Sequence, residues 1–231
     1  MKFGTFVANI FERIPEWSIK NDLRYFLAFN RFIPDSIASL SPIKGYTKHR
    51  KLQKGDFVVD AGAYPGDYAV WASRKVGPKG KVICFEPNPK NRIILEKNLK
   101  KQGQKNFIII PKGLWDKNTC IKIKNLDGLH TELNSTEGVE EIQVVKLDDE
   151  LKRLKIKKLN VFKADIEGAE IQAVKGARES FRKFKPFISI ASYHIVNGKR
   201  TSFFLEDFFE KLGYKVKSDY PSHLTTFAWK S

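Results

Sequence analysis

Cysteine is almost absent from this 231-residue chain, with only Cys84 and Cys120. Two thiols without patterned neighbours exclude a disulfide framework and a cysteine-based metal site, and they make a reducing cytoplasm the expected compartment. Cys84 falls inside an apolar run and reads as a small buried hydrophobe. No stretch approaches the ~20 apolar residues that a membrane-spanning helix requires. Glu12 and Arg13 interrupt the N-terminal apolar stretch and no small-residue cleavage site follows, so no signal peptide is expected. Internal repeats, low-complexity tracts and a basic tail are also missing. Histidine is scarce, and His49, His130 and His223 show no metal-ligand spacing.

Positive charge, in contrast, is abundant: 42 Lys and Arg stand against 26 Asp and Glu, a formal net charge of +16. Such an excess suits an anionic partner, whether nucleic acid, anionic lipid or a phosphorylated substrate, or else a solvated lysine-rich surface. The length suits one domain with a short extension. Residues 1–48 differ in texture from the rest and are expected to form an N-terminal helical extension, with the main domain at 49–231. Phe3, Phe6, Val7, Ile10, Phe11 and Ile14 recur at helical spacing, and a second helix carries Leu23, Phe26, Leu27 and Phe29 before Pro34. This apolar stripe is expected to cap the main domain, with peripheral membrane contact as the alternative. Nothing in the pattern specifies an oligomeric state.

From Lys54 onward strands and helices alternate, the pattern of a doubly wound, mostly parallel sheet. Strands are expected at 57–61, 81–86, 106–111, 159–165 and 187–193, with closing strands at 214–217 and 224–229. Helices are expected at 67–76, 89–102, 147–154, 168–185 and 202–212. Residues 120–124 and 141–146 alternate like a hairpin around a polar loop.

The stretch FVVDAGAYPGD, Phe57–Asp67, reads as a buried strand, a glycine turn and a helix start. A dinucleotide fingerprint would place glycines at 64 and 67, but Tyr64 and Asp67 stand there. Asp60, Gly62 and Gly66 instead fit the D-x-G-x-x-x-G turn that resembles motif I of class I S-adenosylmethionine (SAM) methyltransferases, with Tyr64 in place of the usual middle glycine. Glu86 ends the next strand about 20 positions on, where an acid can accept hydrogen bonds from ribose hydroxyls, and Pro87 follows at the sheet edge. Leu114 and Trp115 are placed to meet an adenine.

KADIEGAE, Lys163–Glu170, crowds Asp165, Glu167 and Glu170 around Gly168 at the end of a strand. Helix-start acids account for one of these carboxylates, not for all. His194 falls where the following strand reaches the same crevice and is a candidate base.

FVVDAGAYPGDYAVWA, VICFEPNP, VVKLDDEL, LNVFKADIEGAEIQAVKGA and ISIASYHI stand in the order found in FkbM-type SAM-dependent methyltransferases. The resemblance runs from about Tyr46 to the C-terminus. It implies a Rossmann-like class I α/β fold with an antiparallel last strand, SAM as cofactor, and methylation of a hydroxyl on a sugar, glycan or small metabolite. The alternatives are an RNA methyltransferase and a non-catalytic SAM-binding or nucleotide-binding protein. The cofactor set is then Asp60, Gly62, Ala63, Tyr64, Gly66, Glu86, Pro87, Leu114, Trp115 and Asp165, and the catalytic set Asp165, Glu167 and His194. Members often carry an acid before the fifth-strand histidine, whereas Ala191, Ser192 and Tyr193 precede His194 here. Catechol-type enzymes hold a metal with three acid or amide residues, of which only Asp165 has a counterpart, so no metal is predicted.

Overall fold

A computed structural model describes residues 42–126, 130–133, 139–220 and 223–230. The two helices expected before Pro34, and most of the 1–48 extension, lie outside these residues. The described chain opens with one helical turn, α1 (Pro42–Gly45), followed by β1 (Phe57–Ala61), α2 (Asp67–Val76), β2 (Lys81–Phe85) and α3 (Pro89–Lys101). β3 (Phe107–Ile110), β4 (Gly113–Leu114), β5 (Thr119–Leu126), β6 (His130–Leu133), β7 (Val139–Val145) and α4 (Leu147–Arg153) come next. The chain continues through β8 (Val161–Ala164), α5 (Glu170–Lys175), α6 (Arg178–Phe184), β9 (Phe187–Ala191), β10 (Ile195–Val196) and β11 (Lys199–Arg200). It closes with α7 (Thr201–Lys211), β12 (Lys215–Asp219) and β13 (Thr225–Trp229).

Seven strands form the main sheet in the order β12-β13-β9-β8-β1-β2-β3. The pairs β1–β2, β1–β8, β2–β3 and β8–β9 are parallel, and β13 runs antiparallel to both its neighbours. This is the expected mostly parallel sheet with an antiparallel last strand. Successive strand residues face opposite sides, as the pleat dictates. Val59, Ala61, Ile83, Phe85, Phe162 and Ala164 face a core built with α4 to α7. Val58, Val82, Cys84, Val161 and Phe187 face the core built with α1 to α3. Cys84 is fully buried there, as a hydrophobe would be. Among the described residues no helix is long and apolar enough to cross a membrane.

Three features depart from the sequence reading. The hairpin between β5 and β7 is present, but it belongs to a four-stranded second sheet, β4-β7-β5-β6. The helix expected over 168–185 is interrupted at Gly176, because a Cβ there would lie 1.9 Å from the carbonyl oxygen of Trp115. A small hairpin, β10–β11, follows β9, turning through Asn197 (φ 51) and Gly198 (φ 75). Asn-Gly between paired segments is the strongest short hairpin signal, and it stands in the sequence at 197–198.

Gly176 has φ −76, a conformation any residue adopts, so the constraint on it is steric. Glycine to alanine in such a conformation ordinarily stabilises by lowering unfolded-state entropy. Here Gly176→Ala is expected to destabilise by about 1–3 kcal/mol through overpacking against Trp115, measured by urea unfolding; a gain in stability would refute this packing account.

Candidate active site

β1 and β8 are parallel neighbours whose register pairs Asp60 with Lys163. Both side chains fall on the face shared with Val58 and Val161, where they are almost wholly enclosed. The Lys163 ammonium lies 2.9 Å from Asp60 Oδ1, and it reaches the carbonyl oxygen of Gly62 at 3.0 Å. The rings of Tyr46 and Tyr68 flank it at 5.3 and 5.6 Å. Burial raises the Asp60 carboxyl and the ammonium opposes that rise, leaving it at about 6. Burial would lower Lys163, but Asp60 and Asp165 outweigh it and raise the lysine. The pair is therefore ionised at neutral pH. Asp60, expected to touch a cofactor, is turned beneath the glycine turn and committed to Lys163.

The two strands leave the sheet side by side, with the Asp165 amide donating to the Ala61 carbonyl at 3.1 Å. A Cβ on Gly62 (φ +71) would stand 1.9 Å from the Asp165 carbonyl oxygen. Glycine is thus required by the approach of the β8 turn, in addition to any ligand. Gly66, with φ +103, precedes α2, and a Cβ there would meet Leu95 Cδ1 of α3 at 2.9 Å. Ala63 is buried.

One cleft runs along the C-terminal strand tips. Of the expected site residues it is lined by Gly62, Tyr64, Glu86, Pro87, Leu114, Trp115, Asp165 and Glu167; Asp60, Ala63, Gly66 and His194 do not line it. Glu86 is buried at the tip of β2 and accepts from the Asn88 amide at 3.0 Å through Oε1. Burial raises its carboxyl above the usual range, against the pull of backbone donors at Asn88 and Tyr64. Ile121, Ile123, Ile142 and Val144 of the second sheet give the cleft an apolar wall.

The chain turns back after β8 through Glu167 (φ 54) and Gly168 (φ 95). His194 sits among the acids of this turn, with Nδ1 3.0 Å from Glu170 Oε1, and Nε2 3.3 Å from Glu167 Oε2 and 3.9 Å from Asp165 Oδ1. Burial alone would lower the imidazole, but the carboxylates of Glu167, Glu170 and Asp165 outweigh it and push it up to about 10. With only these neighbours it keeps its proton at neutral pH, which removes it as the free base expected from the sequence. Burial likewise raises Asp165, yet Lys163, His194, Tyr46 and His223 together hold it below the usual carboxylate range.

Tyr46 was not among the sequence candidates, yet it is buried in the cleft wall. Its hydroxyl donates to Asp165 Oδ2 at 2.8 Å and lies 3.0 Å from His223 Nε2. A phenol has one proton, and an ionised carboxylate can only accept. His223 must then donate from Nε2 to the phenol oxygen, as the Nε2–H tautomer or as the imidazolium. Lys163 and Glu170 were also missed as site residues; a lysine within the strand VFKA was the available signal for the first. Nothing local in the sequence marks Tyr46.

The strand order, the antiparallel last strand and a cleft at the C-terminal tips define the class I methyltransferase fold. The chain belongs to the family of the methyltransferase FkbM domain, whose model matches residues 60–216. It is similar to methyltransferase sdnD of Sordaria araneosa, with 28% identity over 163 residues, 55% of this chain and 62% of that protein. The crystal structure of methyltransferase FkbM from Methylobacillus flagellatus aligns with a TM-score of 0.57 and 18% identity, over 91% of this chain and 59% of that one. Fibrillarin from Aeropyrum pernix, solved with natively bound S-adenosyl-L-methionine, aligns at 0.51 with 13% identity, over 84% and 73%. The chain thus spans about three-fifths of the length of the first two relatives.

Removing one member of a buried ion pair strands the other, at about 3–5 kcal/mol. Lys163→Met is expected to cost that much in denaturant unfolding, and adding Asp60→Asn to recover a large part of it; a double variant no more stable than Lys163→Met would show the pair is not the unit. Tyr46→Phe is expected to keep the fold and to lose about 1.5–3 kcal/mol, the value of a hydrogen bond to a charged group. Unchanged unfolding would mean that the phenol does not hold Asp165.

Proposed function

We propose that the chain is a SAM-dependent methyltransferase that methylates a hydroxyl oxygen of a sugar, glycan or small metabolite. One observation carries the reading: acceptor-only acids stand at two places along a single cleft, Glu86 at the tip of β2 and Asp165 with Glu167 after β8. That edge is where ligands bind in open α/β sheets.

The residues present fit the cofactor. Glu86 has carboxylate capacity beyond the Asn88 amide for ribose hydroxyls. Leu114 and Trp115 line the cleft together with Ile142 and Val144, an apolar wall suited to a purine. Asp67, at the start of α2, adds an acid suited to an ammonium group. When bound, the cofactor supplies a methyl group already activated on a sulfonium.

The work left to the protein is to hold the acceptor in line, which can supply roughly 7–11 kcal/mol of the barrier. Asp165 is ionised and oriented by Tyr46, and so offers an acceptor for the hydroxyl's hydrogen bond. Its lowered pKa makes it an orienting group more than a strong base.

The net charge of +16 favours RNA as a second reading. Against it, the reaction end of the cleft carries Asp165 and Glu167, which repel phosphates. Calorimetry is expected to show SAM binding with NAD inert, and label from methyl-tritiated SAM is expected in neutral hydroxylated acceptors. Label entering RNA instead, with affinity falling steeply with salt, would favour the second reading. SAM binding without transfer to any pool would mark a non-catalytic binder, and NAD binding without SAM would remove the cofactor assignment.

A further inference from the structure

The acids around His194 are more numerous and more carefully oriented than hydroxyl positioning requires. Glu170 is fully buried, and its Oε1 accepts from two backbone amides, Ile166 at 3.1 Å and Gly168 at 3.3 Å. Its Oε2 is buried with no hydrogen-bond partner. Asp165 repeats the arrangement: Oδ2 accepts from Tyr46, and Oδ1 is buried with no hydrogen-bond partner. Both His194 ring nitrogens lie within ion-pair distance of carboxylates, yet neither has the directed geometry of a hydrogen bond.

Ligand atoms of Asp165, Glu170 and His194 all lie within 4.8 Å of one another. Ligands about 2.0–2.2 Å from a common ion stand roughly 3–4.4 Å apart, so the trio is near the spacing of one centre, with a turn of the imidazole needed to bring one nitrogen to both acids. Protein donors fix one oxygen of each acid and leave the other free, which is how outer partners orient metal ligands. Charge points the same way. Asp165, Glu167 and Glu170 converge on one imidazole, while the nearby Lys163 ammonium is paired with Asp60.

We propose that Asp165, Glu170 and His194 form a binding site for one divalent cation of the Mn²⁺ type. Two carboxylates with one imidazole suit a mid-series ion better than Mg²⁺, which prefers all-oxygen ligands. Glu167 flanks the centre, 3.3 Å from His194 Nε2. The ion's role rests on the methyltransferase reading: held by Asp165, which lines the cleft, the ion would polarise the acceptor hydroxyl and lower its pKa, as metal ions do for bound water, so that the proton could pass to solvent or to the neighbouring Glu167 carboxylate. No side chain then has to act as a strong base.

The test uses the full chain, stripped with a chelator, without SAM or acceptor. Titration with Mn²⁺, followed by the loss of the free-ion electron paramagnetic resonance signal, is expected to show one ion bound per chain. Asp165→Asn and Glu170→Gln are each expected to weaken binding at least about tenfold, since even outer partners of a metal are worth 10–100-fold. Circular dichroism checks that the variants fold, and His194→Gln serves as a third variant should buried Glu170→Gln fail. Absence of bound ion at millimolar Mn²⁺, or unchanged affinity in folded Asp165→Asn and His194→Gln, overturns the site. Binding does not depend on turnover in this assay. A chain that binds Mn²⁺ at this trio but transfers no methyl group supports the site and defeats the functional reading. Undiminished transfer in chelator defeats the ion's role in the reaction and leaves the functional reading standing.

Discussion

The ammonium of Lys163 holds the cleft together from below. It is buried between two parallel strands, opposite Asp60, where an unpaired charge of either sign would be costly. Its reach to the Gly62 carbonyl at 3.0 Å ties the glycine turn after β1 to the strand that delivers Asp165. The two strand ends can then run so close that Gly62 tolerates no Cβ. The residues of the β1 turn and those that follow β8 are thereby placed relative to one another by one ion pair and one missing side chain. The flanking rings of Tyr46 and Tyr68 enclose much of the ammonium.

Charge is distributed against the average of the chain. A protein with a formal net charge of +16 gathers Asp165, Glu167 and Glu170 at one turn. Such a concentration survives because each acid has a partner or an orienting donor, and because burial keeps the basic surface away from it. The net charge of the chain is therefore a poor guide to the charge at the centre.

Much of the fold was legible in residue patterns. The apolar strand runs, the glycine turn opening α2 and the breaks at Gly77 and Gly213 all stand in the sequence, and the expected sheet is present. What pattern reading missed depends on approach between distant segments. Gly176 stops a helix because of the Trp115 carbonyl, which nothing near residue 176 announces. Asp60 looked like a ligand contact because its partner, Lys163, lies 103 positions away in sequence and only the β1–β8 register brings them together. His194 read as a base because a strand-tip histidine looks free until three carboxylates are found around it. The β10–β11 hairpin differs in kind, since its Asn197-Gly198 signal was local and went unused.

Tyr46 precedes the stretch that matches the family domain, 60–216, and His223 follows it. The phenol–imidazole pair that orients Asp165 is thus borrowed from both flanks, although Asp165 itself belongs to the shared domain. Descent with variation can act on such flanks while the common motifs stay as they are. Relatives carrying the same D-x-E-G-A-E block need not present its aspartate in the same way, and each lineage can retune that aspartate by exchanging what wraps it.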